Sequence, residues 1–482
     1  MAGFSPRAFE THCIFAHNEQ SHFAETALIQ FPKSEPRRTI EISTWEGLFA
    51  NAYIVITDVP YLTAFAVMLA ANNTLIALIG GLPYLTRVFQ VLGAFLVERY
   101  GKRKTISIAS GALTREIWII VIAVALLFPN QNGLLLSVFG GVTFVSFVAS
   151  MVLAISWMSW ASDFVPSLVR AKYMGVRLSL MAMVNIATSL TMGATLDFFR
   201  PRVGEIYGYI TMLGVAVVVG AITLWLFTQH HEPHFTPDPA HDFLDDFLAP
   251  IRNARFRSVL IFLLMWYSAI GVAGVFFTVQ MIQVLHMSFT QIALFFMSIT
   301  LGRVVFNPIW GRVLNRVGGV AALRLTASLI SVNAFLWLFA TPDFLLPIWI
   351  DALISGFAWT GFDLAVLHVQ FSESPARGRT YYYAWCGITS GLGFFLCGLL
   401  GGAIVDAIGS YTLSFGFLTL EGNRWLFLLS LLCRLVSIAV LVRLRPDANR
   451  PPHALFADIS GEALRAFHTS TMRMLKFFSS EV

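Results

Sequence analysis

Four ionisable residues lie near the middle of long apolar runs, where a charged side chain is costly. They are Asp58, Arg87, Arg303 and Asp363. A charge inside a bilayer costs at least about 2.5–3.5 kcal/mol, so such residues usually face a partner or a water-filled cavity and mark a path for ions or solutes. In one interpretation the two aspartates bind a proton or cation, while the two arginines bind an anionic group or hold the carboxylates ionised. In the other, Asp58–Arg87 and Asp363–Arg303 are buried structural ion pairs.

Neighbouring residues add to this candidate site. Asp58 stands two residues before Pro60, whose missing N–H can leave a backbone carbonyl free for a ligand. Tyr53, Trp266 and Trp359 are candidate solute-binding aromatics, because they lie deeper than the interfacial belt that explains most other aromatic residues of the chain. Stacking on sugars or flat organic molecules is the chemistry these rings would supply.

The runs that carry these residues have the length and composition of membrane-spanning helices. Of the 482 residues, 57% are hydrophobic and only 12% are charged, which is too few charges to cover three soluble domains. A spanning helix needs about 20 mostly apolar residues. Twelve segments qualify: Trp45–Ala70, Thr74–Glu98, Thr105–Phe128, Leu134–Phe164, Val169–Phe199, Gly208–Thr228, Val259–Leu285, Gln291–Arg312, Val320–Ala340, Leu346–Phe371, Tyr381–Ile408 and Trp425–Leu444.

The chain carries no pattern typical of an enzyme or a metalloprotein. There is no HExxH, P-loop or GxSxG motif among the apolar segments, and the four cysteines show no zinc or redox spacing. The histidines of the central polar stretch lack acidic partners arranged as a site. We therefore expect no catalytic residues, no metal and no other cofactor.

The distribution of the 32 Lys and Arg predicts the orientation, because basic residues near spanning helices stay on the cytoplasmic side. With the N-terminus inside, most basic residues fall in inner loops and tails, and the outer loops hold Arg200, Arg202 and Arg424. Both termini are thus predicted to be cytoplasmic. The net charge of +5 then reflects membrane topology, and a nucleic-acid partner is not expected.

A polar stretch divides the twelve segments into two groups of six. The predicted organisation is a cytoplasmic tail (1–42), a six-helix bundle (43–229), a cytoplasmic loop (230–257), a second bundle (258–445) and a cytoplasmic tail (446–482) with the stripe of an interfacial helix. An internal repeat relates the bundles. At one constant offset, Pro166, Arg170, Tyr173, Gly193, Ala194 and Asp197 match Pro375, Arg379, Tyr382, Gly402, Ala403 and Asp406.

A second repeat carries a family resemblance. Glu98-Arg99-Tyr-Gly101-Lys102-Arg103-Lys104 follows the second segment, and Asn315-Arg316-Val-Gly318 follows the eighth. With the six-plus-six arrangement, the sequence resembles the major facilitator superfamily, whose cytoplasmic loop reads roughly G-x-L-a-D-r-x-G-r-K. Ala94, Glu98 and Asn315 depart from that pattern. The resemblance implies an all-α membrane protein with twelve transmembrane helices in two pseudo-symmetric bundles.

The resemblance also implies a function. Members of the family are secondary transporters in which the two bundles rock about a site near the bilayer midplane. A cytoplasmic gate is expected from Glu98, Arg99, Asp163, Arg170, Arg316 and Arg379. The expected partners are a small-molecule substrate, the lipid bilayer and protons, with a monomer in a bacterial inner membrane. A non-transporting sensor or membrane scaffold is the alternative function.

Overall fold

The computed structural model describes residues 35–164, 167–230, 232, 243–374, 379–415 and 418–441. In this part of the chain twelve helices are long and apolar enough to cross a membrane. The predicted all-helical, twelve-span architecture is therefore confirmed. The sheet that the described residues contain is one short antiparallel hairpin, β1 (Leu413–Phe415) and β2 (Leu418–Leu420), between the last two spans.

In the described part of the chain, nine α-helices precede the central loop. They are α1 (Glu35–Ile56), α2 (Val59–Met68), α3 (Asn73–Leu85), α4 (Gln90–Tyr100), α5 (Arg103–Arg115), α6 (Trp118–Leu127), α7 (Asn132–Phe164), α8 (Ser167–Arg202) and α9 (Glu205–Gln229). The first three spans are each built from two helices: α1 with α2, α3 with α4, and α5 with α6. These helices form the N-terminal half.

The central loop contributes α10 (Phe243–Arg252), and the C-terminal half follows it. Its helices are α11 (Ala254–Gly274), α12 (Phe276–Val279), α13 (Phe289–Val317), α14 (Gly319–Leu336), α15 (Leu346–Glu373), α16 (Arg379–Ile408) and α17 (Arg424–Leu441). The seventh span continues past α12 as a π turn, Gln280–Val284. The N-terminal tail through residue 34 and the predicted interfacial tail 446–482 lie outside the described residues.

The seventh span begins five residues before its predicted start. Asn253 stands in extended conformation between α10 and α11, and its side chain accepts hydrogen bonds from the N–H groups of Arg255 and Phe256. This is the N-cap arrangement that begins a helix. The basic residues after Asn253 were assigned to the loop because of their charge, yet the cap places them in the first turn of α11.

Local chemistry also explains the breaks inside spans. Asp58 caps α2 with its side chain, and Pro60 occupies the first turn, where a missing N–H costs nothing. In the second span Pro83 lies near the end of α3, and a 3₁₀ turn, Thr86–Phe89, joins α3 to α4. The breaks put Asp58 and Arg87 at interruptions of the helical backbone, near the centre of their spans.

The two halves meet unevenly along the spans. Within the described residues, extensive contacts between halves are made by α3 and the Thr86–Phe89 turn against α16, by α8 against α13, and by α2 against α12. The continuation of the second span, α4, packs extensively only against its own half. We call the side on which α3 and α13 begin the capped face, and the side on which α4 ends the basic face. The halves are joined toward the capped face and separate toward the basic face.

Candidate functional site

A cavity of about 500 Å³ lies between the halves where they begin to separate. Asp58 and Arg87 line it from the N-terminal half, and Arg303 and Asp363 line it from the C-terminal half. The structure thus brings all four intramembrane charges predicted from the sequence to one cavity. A second pocket of similar size shares Asp58, Arg303 and several other lining residues, so it continues the same space.

The charges in this cavity are only partly paired. A nitrogen of the Arg303 guanidinium lies 3.3 Å from an oxygen of Asp363, and both side chains remain almost half exposed. Arg87 lies over the ring of Tyr84, 4.9 Å from its centroid, and also interacts electrostatically with Asp363. The arrangement leaves guanidinium N–H donors of both arginines available to an anionic group.

Asp58 differs from the other three residues. Its carboxylate accepts a hydrogen bond from the Val59 N–H at 2.8 Å, and among the described residues no cationic side chain lies within ion-pair distance. Of the two buried ion pairs in the alternative interpretation, Asp363–Arg303 is in contact but is almost half exposed, and Asp58–Arg87 is not within ion-pair distance. An exposed carboxylate that lines a cavity and has no such cation, at the start of a helix, can accept a proton or bind a cation.

The three aromatic candidates occupy different places. Trp359 lines the cavity. Tyr53 is buried in the N-terminal half, where its hydroxyl donates to the Thr114 carbonyl at 2.7 Å and accepts from the Trp118 indole at 2.8 Å. Trp266 is fully buried between Phe262 and Phe362. Tyr53 and Trp266 thus support the core around the cavity, and their proposed contact with solute stays a prediction.

Two matched contacts close the capped face. Asp197, at the end of the fifth span, accepts hydrogen bonds from the N–H groups of Phe289 and Thr290, which begin α13 in the other half, both at 2.8 Å. Asp406, at the end of the eleventh span, accepts from the N–H groups of Asn73 and Thr74, which begin α3, at 3.1 and 2.9 Å. Each aspartate thus satisfies two free N–H groups and faces the positive end of a helix dipole.

Glycine makes these two contacts close. A Cβ on Gly193 would lie 2.8 Å from the Phe289 carbonyl oxygen, and a Cβ on Gly402 would lie 2.7 Å from that of Asn73. The repeated Gly-Ala-x-x-Asp therefore performs the same task twice: the glycine lets the backbones approach, and the aspartate one turn later caps the facing helix. The sequence revealed the repeat but not this task, because the capped helices lie far away in the chain.

The family model described as Major Facilitator Superfamily matches residues 47–376, more than half of the chain. The chain belongs to the major facilitator superfamily. The family resemblance stated from the loop repeat is thereby confirmed. The comparison with curated proteins gives no match.

Solved structures share the superfamily fold. A crystal structure of the nucleoside transporter NupG is 12% identical, with a TM-score of 0.61, and the match covers 85% of this chain and 99% of that chain. A bacterial homologue of the iron transporter ferroportin in an inward-facing state is 13% identical, with a TM-score of 0.62 and coverage of 85% and 98%. At this identity the likeness establishes the fold, and the superfamily membership makes the chain a membrane transporter.

The structure describes the side chains of only some of the predicted gate residues. Glu98 and Arg99 are exposed in the last turn of α4, at the basic face. The side chains of Asp163, Arg170, Arg316 and Arg379 lie outside the described residues. The gate therefore stays a prediction.

Several cavity residues had not been predicted. Tyr84 and Tyr267 line the charged part of the cavity, and Asn333, Asp351 and Ser355 line its extension into the C-terminal half. Asp351 carried a usable signal, since it is an acidic residue within the apolar tenth span. No sequence signal marked the tyrosines, Asn333 or Ser355 as cavity residues. Such residues are common in spanning helices, and only packing decides which of them face a cavity.

Proposed function

We propose that this protein is a secondary active transporter that moves a small solute by alternating access, with coupling to protons. One observation carries the proposal: a charged cavity is lined by both halves, and the halves are joined toward one face and apart toward the other. A site between two movable bodies can be exposed to either side in turn by rocking of the halves. The basic face is the cytoplasmic one in this proposal, in agreement with the positive-inside rule.

The arrangement corresponds to an inward-facing state. The Asp197 and Asp406 caps hold the outer face closed, while α4 at the basic face packs extensively only against its own half. Opening to the outside then requires that the hydrogen bonds of both caps break. Closure of the basic face would bring the predicted cytoplasmic gate residues together.

The four charges have different roles in this mechanism. Asp58 is the proton or cation site, because its carboxylate faces the cavity without a cationic partner. Arg87 and Arg303 bind an anionic group of the solute, and Asp363 holds Arg303 in place through the 3.3 Å ion pair. Protonation of Asp58 and occupation of the arginines would then be linked through the shared cavity.

Purified protein in liposomes tests this proposal. A metabolite library is first screened by thermal shift, since a ligand of the folded state raises its apparent stability. Each stabilising compound is then assayed for uptake with and without an imposed pH gradient. Uptake that increases with the gradient supports proton-coupled transport. Binding with no flux in either direction contradicts transport and favours the sensor or scaffold function.

A further inference from the structure

The central cavity extends past the charged residues into the C-terminal half. We call this extension the polar lobe and define it by five residues that line the cavity: Asn333, Trp337, Asp351, Ser355 and Arg434. They come from α14 and its C-terminal end, from α15 and from α17, and each is at most 5% exposed. The ninth and twelfth spans, which supply three of the five, thus reach the cavity.

Hydrogen bonds order the side chains of the polar lobe. Asp351 accepts from the Trp337 indole at 2.6 Å and from the Ser355 hydroxyl at 3.0 Å. Because Ser355 donates its only proton to Asp351, its oxygen must accept from the Asn333 amide nitrogen, 2.7 Å away. In this series of hydrogen bonds the amide oxygen of Asn333 is not used. It can therefore accept a further hydrogen bond.

Two buried polar atoms of the polar lobe have no hydrogen-bond partner among the described residues. They are Oδ1 of Asn333 and Nε of Arg434. Arg434 uses Nη1 to donate to the Ile330 carbonyl at 2.9 Å, which fixes its head group without satisfying Nε. A buried donor or acceptor without a partner is destabilising. The two residues that carry this unmet acceptor and unmet donor line the cavity, so a ligand that enters the lobe and supplies the complementary pair would satisfy both.

The charge of the polar lobe selects the kind of ligand group. Asp351 and Arg434 are both buried and interact electrostatically, so their charges balance. A charged ligand group would upset that balance in a low-dielectric site, whereas a neutral one would not. Aromatic rings surround this site, since Phe277 and Phe295 both pack against Trp337. The chemistry therefore suits a neutral hydroxyl or primary amide next to an apolar or ring-shaped body.

A tryptophan of the N-terminal half takes part in a different hydrogen-bond set. There the Trp118 indole donates to the Tyr53 hydroxyl, which in turn donates to the Thr114 carbonyl. The Tyr53 hydroxyl therefore has partners inside its own half, whereas Oδ1 of Asn333 has none among the described residues.

We propose that the polar lobe is a subsite of the transport cavity that binds a neutral hydroxyl- or amide-bearing part of the solute. The proposal rests on the proposed transport function and adds the substrate class: a solute whose charged group lies at Arg87 and Arg303 and whose neutral polar end enters the polar lobe. Asn333 accepts a hydrogen bond from that end, and Arg434 donates one to it.

Matched compounds test this assignment on the purified full-length protein. The pairs are glutamine against glutamate and serine against alanine, each compared by thermal shift and by uptake into liposomes. In the wild-type protein, at least one member with the neutral amide or hydroxyl binds about tenfold or more tightly than its counterpart. Asn333→Leu and Arg434→Lys each abolish that preference. Ser437→Ala, a polar deletion one turn along α17 whose hydroxyl bonds only to its own helix, retains it.

Two results would overturn the subsite. One is a wild-type preference that both lobe variants retain; the other is a wild-type protein that responds to none of the neutral polar members. Either result leaves transport itself open, because flux of another solute class would still appear in the library assay. Absence of flux for every binding compound would instead contradict the transport function. Two independent lobe variants keep the test decisive if one of them fails to fold.

Discussion

At the scale of single residues, Asp58 connects local backbone chemistry with a possible coupling site. Its side chain caps α2, so the carboxylate is held at the break of the first span. The same carboxylate faces the cavity without a cation. A helix N-terminus favours the ionised form, whereas a membrane interior opposes it. A residue that balances these effects can change its protonation when the surroundings of the cavity change.

The substitution Asp58→Asn separates helix capping from proton binding. Asparagine caps helices about as well as aspartate, so the fold should be retained. Since the amide cannot take up a proton, we expect accumulation driven by a pH gradient to fall at least tenfold, while exchange of solute without a gradient continues. Uptake and exchange by the variant in liposomes measure the two quantities. Gradient-driven accumulation at the wild-type level would contradict the role of Asp58 in coupling.

A histidine with a lowered pKa lies at the basic face. His230 follows the end of α9, is 1% exposed, and packs against Trp160 and Phe227. Burial, aided by the positive charges of Lys104 and Arg177, lowers its pKa from 6.5 to about 4. The folded protein therefore favours the neutral ring. This contribution to stability is complete above pH 6.5 and is lost as the pH falls toward 4.

His230→Phe should reduce this pH dependence. The difference between the two pKa values corresponds to about 3 kcal/mol at most, so the wild-type Tm in detergent should fall between pH 6.5 and 4 more steeply than that of the variant. Carboxylates also titrate in this range, but they are common to both proteins. His286→Asn is a control, because His286 is exposed and has a positive φ that asparagine tolerates. Equal slopes for all three proteins would show that His230 does not contribute.

At the scale of elements, the two interdomain caps decide how the outer face closes. A helix start has free N–H groups that need acceptors, and here the other half of the molecule supplies them. The two caps are not equal. Asp406 also accepts from the Asn73 amide and the Thr74 hydroxyl, at 2.8 and 2.6 Å, whereas the partners of Asp197 among the described residues are two backbone N–H groups. We infer that the contact between α16 and α3 is the stronger of the two.

Neutralising the caps should favour opening of the outer face. An N-cap contributes about 1 kcal/mol relative to alanine, so Asp197→Ala and Asp406→Ala should each shift the equilibrium about fivefold or more, with the larger effect at Asp406. The measurement is the rate at which an impermeant maleimide added outside labels Thr278→Cys, on the cavity wall, in a background without native cysteines. Asp343→Ala, an exposed change in the loop between α14 and α15, is the control. Labelling that none of the cap variants accelerates would contradict the closing role.

At the scale of the whole molecule, the cavity is a property of both halves together. Tyr84 stacks on Phe394 at a centroid distance of 3.6 Å, and the Thr86–Phe89 turn that follows is the last part of the second span in extensive contact with the other half. The depth at which the halves diverge sets where the cavity begins. A rocking motion about this region exposes the same side chains to opposite sides of the membrane, so transport requires that the capped face can open.

A covalent link across the capped face should therefore stop transport. The side-chain oxygens of Thr74 and Asp406 lie 2.6 Å apart, so Thr74→Cys with Asp406→Cys can be joined by a short bifunctional thiosulfonate reagent. We expect uptake to fall below one tenth after cross-linking and to return when a reducing agent cleaves the link. Each single-cysteine variant treated in the same way should be unaffected. Full uptake by the cross-linked protein would contradict alternating access.

The sequence by itself determined the membrane class, the twelve spans and the repeat. These are consequences of local composition: apolar runs need a lipid environment, and Pro60, Pro83 and Asn253 act on the backbone next to them. It also pointed to Asp58, Arg87, Arg303 and Asp363, because a charge in an apolar run is costly wherever the helix is placed.

Only the tertiary structure decided which polar groups meet. From the sequence alone, Asp58–Arg87 was as good a candidate for an ion pair as Asp363–Arg303. In the structure, Arg303 and Asp363 are in contact. Tyr53 and Trp266 turn into the core, while Tyr84, Asn333 and Asp351 turn toward the cavity. The aspartate of each Gly-Ala-x-x-Asp motif caps a helix that lies more than ninety residues away in the chain. Rotation of each helix about its axis is set by packing against distant neighbours, and local patterns do not contain that information.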